Sequence, residues 1–233
     1  FGIGAVVVWV VLGLSSVFAS AMFALTPDPP AIKAPGRERF GALAALMRSR
    51  RFLIVVASCG LIQCAHAFYY GFSTIAWRAQ GLSADMVGFL WAFGVAVEVA
   101  LLWSLAPIER RISAEALILA GAVGAVVRWA AMGFAPEGAI LWPLQALHAL
   151  SFAAAHVGAM RLIYREAPDN AAAMAQTLYS SLSSGLLLGF ATIASGWLYD
   201  WGGAKGYWAM AALAGLGGLV ALLLLTPRRA ISR

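Results

Sequence analysis

Glu98, Arg128, His66 and His148 each lie inside a long apolar run, far from either end of it. An ionisable group in a hydrocarbon core costs about 2.5–3.5 kcal/mol on insertion scales, so such groups face a partner or a hydrated cavity. One acid, one guanidinium and two imidazoles can bind an anion, hold a polar solute and carry protons. Imidazole, with a reference pKa of about 6.5, suits the last task near neutrality. A rise of about 1.5 Å per residue from the outer end of each run puts Glu98 at about 20 Å, Arg128 at about 10 Å and both histidines at about 15 Å. They share a layer near the midplane. Two roles fit Glu98 and Arg128: a structural ion pair between neighbouring helices, or solute binding and proton coupling.

Other side chains extend this layer. Gln145, His148, Phe152 and His156 recur with helical spacing and form one polar and aromatic stripe. His156 lies nearer the cytoplasmic mouth, as an exit-side proton group or an interfacial histidine. Trp91, Gly94 and Glu98 form a second stripe, with an aromatic plate beside a carboxylate. His66 reads equally as a packed histidine or a cavity residue, and Gln63 and Gln145 as cavity groups or as bonds across helices. Tyr69, Tyr70, Trp77, Trp129 and Trp142 lie near span ends and read most simply as an interfacial belt, although Tyr70 and Trp129 could stack on a ring. No H-E-x-x-H motif or Ser/His/Asp set is present, so neither an enzyme nor a metal or cofactor site is expected. Cys59 and Cys64 fall about 140° apart around one helix and are expected to be free thiols.

These residues must be positioned by helices in a bilayer. Of 233 residues, 62% are hydrophobic and 11% charged, with a mean hydropathy of +0.84. A soluble domain, a disulfide scaffold and a disordered tail are excluded by that balance. Seven segments are long and apolar enough to span: 2–25, 52–77, 86–107, 115–135, 138–160, 171–199 and 206–226. The net charge of +6 comes in clusters between these runs, which is membrane orientation rather than nucleic-acid binding. Lys33, Arg37, Arg39, Arg48, Arg50, Arg51, Arg110, Arg111, Arg161, Arg165, Arg228, Arg229 and Arg233 fall on one side; Arg78 and Lys205 fall on the other. The C-terminus is therefore expected in the cytoplasm, in a bacterial inner membrane.

Pro27, Pro29, Pro30, Pro35 and Gly36 mark residues 28–51 as a cytoplasmic interdomain linker. Residues 1–27 then read as the last helix of a missing N-terminal bundle, 52–227 as a six-helix bundle, and 228–233 as a cytoplasmic tail. Phe1 opens inside an apolar run, so the chain reads as a piece of a longer one. Six helices per half with a long linker is a transporter plan, each half an inverted pair of three-helix repeats. Gln63-Cys64-Ala65-His66-Ala67-Phe68 and Gln145-Ala146-Leu147-His148-Ala149-Leu150 repeat one pattern in the first helices of the two triplets. The expected fold is an all-α membrane protein: a six-helix half-bundle of two inverted three-helix repeats, preceded by one extra helix, seven spans in all.

At these residues the chain resembles the C-terminal half of the major facilitator superfamily, in the branch that holds phenylpropionic acid transporters, with lactose permease and the nucleoside:proton symporters as neighbours. The likeness is carried by Gly94-Val95-Ala96-Val97-Glu98-Val99, the Ala106-Pro107-Ile108-Glu109-Arg110-Arg111 loop, Val127-Arg128-Trp129, the stretch from Gln145 through Phe152 to His156, and Ser195-Gly196-Trp197-Leu198-Tyr199-Asp200 with Gly202. It implies a substrate-contacting carboxylate at Glu98, an arginine tied to proton coupling at Arg128, and a histidine of the binding and coupling network at His148. The chain departs from the sugar permease at Ser151, where that protein has a proton-carrying carboxylate, and at Gln145, where it has a lysine. Proton coupling here must then use Glu98, a histidine or a group in the other half. The 105–111 loop is a degraded form of the superfamily's glycine- and arginine-rich loop.

The expected function is proton-coupled symport of a small organic solute such as an aromatic carboxylate, by alternating access. Arg128 would pair the charge while Trp91, Phe152 or Tyr70 meets the ring. The partners are that solute, protons, the lipid bilayer and the missing half, and no nucleic acid. A sugar or nucleoside symporter of the same superfamily and a seven-helix receptor are the alternatives. The only lysines, Lys33 and Lys205, lie in loops, so a retinal Schiff base is excluded.

Overall fold

The computed structural model describes residues 13–14, 16–18, 20–22, 25, 36–108, 111–168 and 171–226. Every regular element among them is helical. The helices are α1 (Gly36–Arg48), α2 (Arg50–Cys64), α3 (Ala67–Ala79), α4 (Ala84–Ile108), α5 (Ala114–Met132), α6 (Leu141–His148), α7 (Ala155–Glu166), α8 (Ala172–Ser180), α9 (Leu188–Gly202) and α10 (Gly206–Leu222). Two π-helical segments, Ala149–Ala154 and Ser181–Leu187, join α6 to α7 and α8 to α9.

Five helical runs are long and apolar enough to cross a membrane: Arg50–Ala79, Ala84–Leu105, Ala114–Met132, Gly138–Glu166 and Ala172–Leu225. The last has 54 residues, about 80 Å if it were straight, against a hydrocarbon core of about 30 Å. It is turned by a 3₁₀ segment at Gly203–Lys205, where Gly203 has φ 55°, a left-handed backbone that glycine adopts without a Cβ clash. The expected segments 171–199 and 206–226 lie on either side of that turn. The expected segment 2–25 lies mostly outside the described residues, as do much of the 28–51 linker and the whole tail.

Three of the helix starts are set by serine. The Ser49 side chain accepts from the backbone N–H of Phe52, Ser83 from Met86 and Ser113 from Ala116, each satisfying an orphan donor of the first turn. Asp85 and Glu115 add a negative charge to the first turns of α4 and α5, where the helix dipole favours it. Both π segments carry a serine that bonds back to a carbonyl, Ser151 to that of His148 and Ser183 to that of Tyr179. Such back-bonding competes with the α ladder.

The chain divides into compact units at Phe1–Glu38 and Arg39–Arg233. In the second, α10 packs on α5 and α2, α5 on α7 and the first π segment, and α4 on α6 and the same π segment. Small residues allow these approaches, as they do where lipid supplies no hydrophobic drive between helices. A Cβ on Gly121 would lie 2.7 Å from that of Ala155, and one on Gly158 would lie 2.6 Å from the carbonyl oxygen of Ala114. Tyr69, Trp77 and Trp129, expected in an interfacial belt, are 2%, 2% and 0% exposed. The correction has a packing cause, since Trp129 lies under Tyr207 of α10, rings stacked at 5.6 Å, while Tyr69 lies against Trp91 and Trp77.

One end of the bundle is fastened by charge. Arg51 lies 3.4 Å from Glu115 and 3.2 Å from Glu166, and Arg165 pairs with both acids. Arg51 also donates to the carbonyls of Leu224 and Thr226, which have no partner further along the helix. The starts of α2 and α5, the end of α7 and the end of the last helical run are thereby tied together.

Gly121→Leu is expected to destabilise the protein by at least about 1–3 kcal/mol, the cost of overpacking. Gly88→Leu, where a Cβ meets nothing within 4 Å, should be close to neutral. Thermal unfolding of the purified variants in detergent tests the contrast.

Candidate functional site

The centre of the site is Arg128, on α5, which is 0% exposed. Its Nη2 donates to Oε1 of Gln145 at 2.7 Å, and its Nη1 lies 2.8 Å from Nδ1 of His148 and 3.5 Å from Oγ of Ser151. The guanidinium also lies over two aromatic faces, 4.5 Å from the centroid of Tyr69 and 4.3 Å from that of Trp129. Gln145 is fully used: its Nε2 donates to the Tyr69 hydroxyl at 2.8 Å and to the Leu90 carbonyl at 3.0 Å. Close approach of α4 at Gly94, where a Cβ would lie 3.5 Å from the Gln145 carbonyl oxygen, brings Leu90 within reach.

Donor and acceptor chemistry fixes the histidines. Guanidinium has no acceptor, so His148 accepts at Nδ1 and carries its hydrogen on Nε2, which lies 3.4 Å from Oε2 of Glu98. In His66, Nδ1 faces the carbonyls of Ile62 and Gln63, each at 3.2 Å, and so carries the hydrogen. Its Nε2 is then an acceptor 3.2 Å from Oγ of Ser151, whose one hydrogen is shared between this nitrogen and the His148 carbonyl. Both rings are neutral in this arrangement. The two Q-x-x-H stretches therefore meet, their histidine rings 5.6 Å apart, and each lies where α geometry ends: α2 stops at Cys64, and the first π segment begins at Ala149.

Glu98 and Arg128 do not touch. Neutral His148 stands between them, giving a carboxylate, imidazole and guanidinium in series. The Glu98 and His148 side chains are 19% and 10% exposed, so this end of the series is reachable while Arg128 is closed off. Around it stand Trp91, stacked on Tyr69 at 4.4 Å, and Tyr70, which is 40% exposed. The stripe of His148, Phe152 and His156 forms a ladder of near-parallel rings, 16° and 9° apart in plane, ending at exposed His156. The four-residue spacing places these rings one above the other along one face of the helix.

Gln63 is more peripheral. Its Nε2 donates to the Phe152 carbonyl at 3.4 Å, and its buried Oε1 has no partner. Tyr69, Trp129 and Ser151 were not chosen from the sequence as site residues, yet all three touch the network. Tyr69 had a usable signal, its position three residues after His66. Ser151 was marked only by the resemblance, as the position of the sugar permease's carboxylate, since a hydroxyl in an apolar helix usually bonds its own backbone. Among the described residues no group of three or more His, Cys, Asp or Glu could hold a metal ion, and Cys59 and Cys64 are free.

Residues 2–210 match the family model described as the MFS_1 like family. The chain belongs to that family of the major facilitator superfamily. It is a multi-pass membrane protein of a transporter family rather than an enzyme, and the resemblance to the C-terminal half of such a transporter is borne out. It is 35% identical over 212 residues to a protein of Escherichia coli (strain K12) named as a probable 3-phenylpropionic acid transporter. The match covers 88% of this chain and 55% of that protein, so the chain spans about half the relative's length. No solved structure matches it. Membership in a transporter family overturns the seven-helix receptor alternative.

Gln145→Ala strips an acceptor from the buried guanidinium and is expected to cost about 1–3 kcal/mol, the penalty for a buried polar group left unpaired. Gln63→Leu, which removes one long bond and an already unpaired oxygen, should cost less than that. Unfolding midpoints of the two purified variants decide the order.

Proposed function

We propose that this chain supplies the C-terminal six-helix half of a secondary active transporter that moves a small aromatic carboxylate together with protons, by alternating access. The observation that carries the reading is a buried cation with only neutral groups around it, separated by one imidazole from an acid that can be reached. A guanidinium without a carboxylate in contact leaves a positive field at the site's open edge, and an anionic solute is what such a field attracts. The walls suit a ring: Trp91, Tyr70 and Phe152 offer aromatic surface, whereas a sugar would need many more polar partners. The name of the Escherichia coli relative points to the same solute class.

In this reading the solute carboxylate meets His148 and Tyr70, with Arg128 acting through His148 and Gln145 rather than by direct contact. Gln145 and His66 hold Arg128 and Ser151, Gln63 anchors the π segment, and His156 lies on the route out. The last helical run counts as two crossings, giving six in residues 52–227. Residues 1–27 add the closing helix of an N-terminal half on the same polypeptide, 28–51 the linker, and 228–233 the tail, seven crossings in all. The two Q-x-x-H helices head inverted three-helix repeats. The distribution of Lys and Arg supports a cytoplasmic C-terminus in a bacterial inner membrane. A sugar or nucleoside symporter is the second reading.

Arg128→Ala in the full-length protein is expected to abolish concentrative uptake of 3-phenylpropionate by cells that make it at normal levels. Arg128→Lys keeps the charge but not the planar fork that serves Gln145 and His148 together. It should lose roughly 10- to 100-fold in uptake efficiency, the equivalent of about one charged hydrogen bond. Undiminished uptake by Arg128→Ala would sink this site.

A further inference from the structure

A second cavity lies at the end of the bundle opposite the Arg51 cluster. The run Arg50–Ala79 starts at that cluster and the run Ala84–Leu105 starts at the far end, so Leu82 and Met86 stand where the chain turns back. With Leu90 of α4, and with Gly138, Leu141 and Trp142 at the start of the fourth run, they line a space of about 390 Å³. Pockets that take small organic molecules have about 300–1,000 Å³. The floor of this cavity is shared with the central site. Leu90 and Leu141 are buried, the Leu90 carbonyl accepts from Nε2 of Gln145 at 3.0 Å, and Leu141 lies one turn before Gln145 on the same helix. Two rows of residues at helical spacing run from the cavity to the centre: Met86, Leu90, Gly94 and Glu98 along α4, and Leu141, Gln145 and His148 along α6.

The walls and the rim differ in kind. Trp142 is partly buried and meets Phe93 edge to face at 5.1 Å, which holds its indole as an aromatic wall. At the rim is a cation: Arg78, exposed in the last turn of α3, donates from Nη1 to the Leu82 carbonyl at 2.7 Å. That leaves most of its five N–H donors unspent, and among the described residues no carboxylate pairs with it. Asp85 and Glu137, next in sequence to Met86 and Gly138, oppose an anion here, but both are exposed and therefore screened by salt. An occupant's apolar body supplies the affinity, and Arg78 sets which way its charge points.

We infer that this cavity is a second subsite for the solute, which seats the ring of an aryl carboxylate against Met86, Leu90 and Trp142 while Arg78 meets the carboxylate. The inference rests on the aromatic carboxylate reading above and adds a place where the solute is held one helical turn, about 5.4 Å, short of Gln145. A lipid chain is the competing occupant. The two rows favour the solute, because they carry Glu98, Gln145 and His148 further down, groups that are kept off a lipid-facing surface.

The test uses the full-length transporter in proteoliposomes, with 3-phenylpropionate as the probe and alkylation of Met86→Cys by a maleimide as the readout. Cys59 and Cys64 are buried, and protein without Met86→Cys gives their background. In an Arg128→Ala background, which disables the central site, the solute should still slow alkylation about tenfold at ten times its half-protecting concentration, the mass-action result for a shielded group. Propionate, which has the carboxylate without the ring, should not protect at the same concentrations. With Arg128 intact, Arg78→Gln should raise the half-protecting concentration about 2- to 5-fold, the worth of an exposed charge pair, and Glu137→Gln should lower it. The inference is overturned if folded Arg128→Ala shows no protection, if propionate protects equally, or if Arg78→Gln leaves the half-protecting concentration unchanged. Met86→Cys that reacts in detergent but not in solute-free proteoliposomes marks a lipid chain as the occupant and also overturns it. The Arg78→Gln arm keeps Arg128, so a misfolded Arg128→Ala does not shield the inference. Solute binding at the centre without protection of Met86→Cys overturns this subsite alone, whereas wild type that binds no aryl carboxylate overturns the reading above and this inference with it.

Discussion

A guanidinium that has lost its water must be given partners, and the arrangement around Arg128 is governed by that need. The cost of an ionised group in a hydrocarbon core is several kcal/mol even on the mildest scales. Each helix that borders Arg128 contributes something against it: Gln145 and His148 from α6, the Tyr69 ring from α3, the Ser151 hydroxyl from the π segment, and Trp129 from its own helix. The partners are themselves held. Gln145 is fixed by Tyr69 and the Leu90 carbonyl, and Ser151 faces His66, so the network reaches every helix from α2 to α6. A neutral shell of this kind solvates the charge without cancelling it, which an adjacent carboxylate would do.

The backbone irregularities belong to the same problem. A regular α-helix through residues 141–166 would spend its carbonyls on its own ladder. The π segment at Ala149–Ala154 breaks that ladder where Ser151 bonds back to the His148 carbonyl, and where Gln63 reaches the carbonyl of Phe152. The turn at Ala65–His66 likewise exposes the carbonyls of Ile62 and Gln63 to the His66 ring. Irregular backbone at membrane depth is tolerated where protein groups take up the freed bonds.

Much of this was legible in the sequence, for a reason that is particular to membranes. Lipid so restricts what an apolar run can carry that Glu98, Arg128, His66 and His148 announce themselves by being there, and four of the five spanning runs follow from hydropathy and length alone. The repeated Q-x-x-H spacing pointed to two histidines in equivalent places, and they meet. What could not be read was rotation and neighbourhood. Tyr69 and Trp129 looked like belt residues because their distance from a span end is visible in a sequence, whereas the cover supplied by Trp91 and Tyr207 is not. The direct ion pair between Glu98 and Arg128 failed for a similar reason: the sequence gives both depths, but not the imidazole that stands between them.

The two charge clusters in the bundle show what that imidazole changes. At the fastened end, Arg51 and Arg165 touch Glu115 and Glu166 directly, and Arg51 also caps the carbonyls that end the last run. Two cations and two acids in contact satisfy one another, and the cluster fastens helix ends. At the centre, one cation and one acid are held apart by a neutral ring, each within reach of it and neither in contact with the other. The cation's own partners, Gln145, His148, Ser151 and two aromatic faces, do not include the acid. This difference in contact, more than any difference in residue type, is what supports the reading proposed for the centre of the bundle.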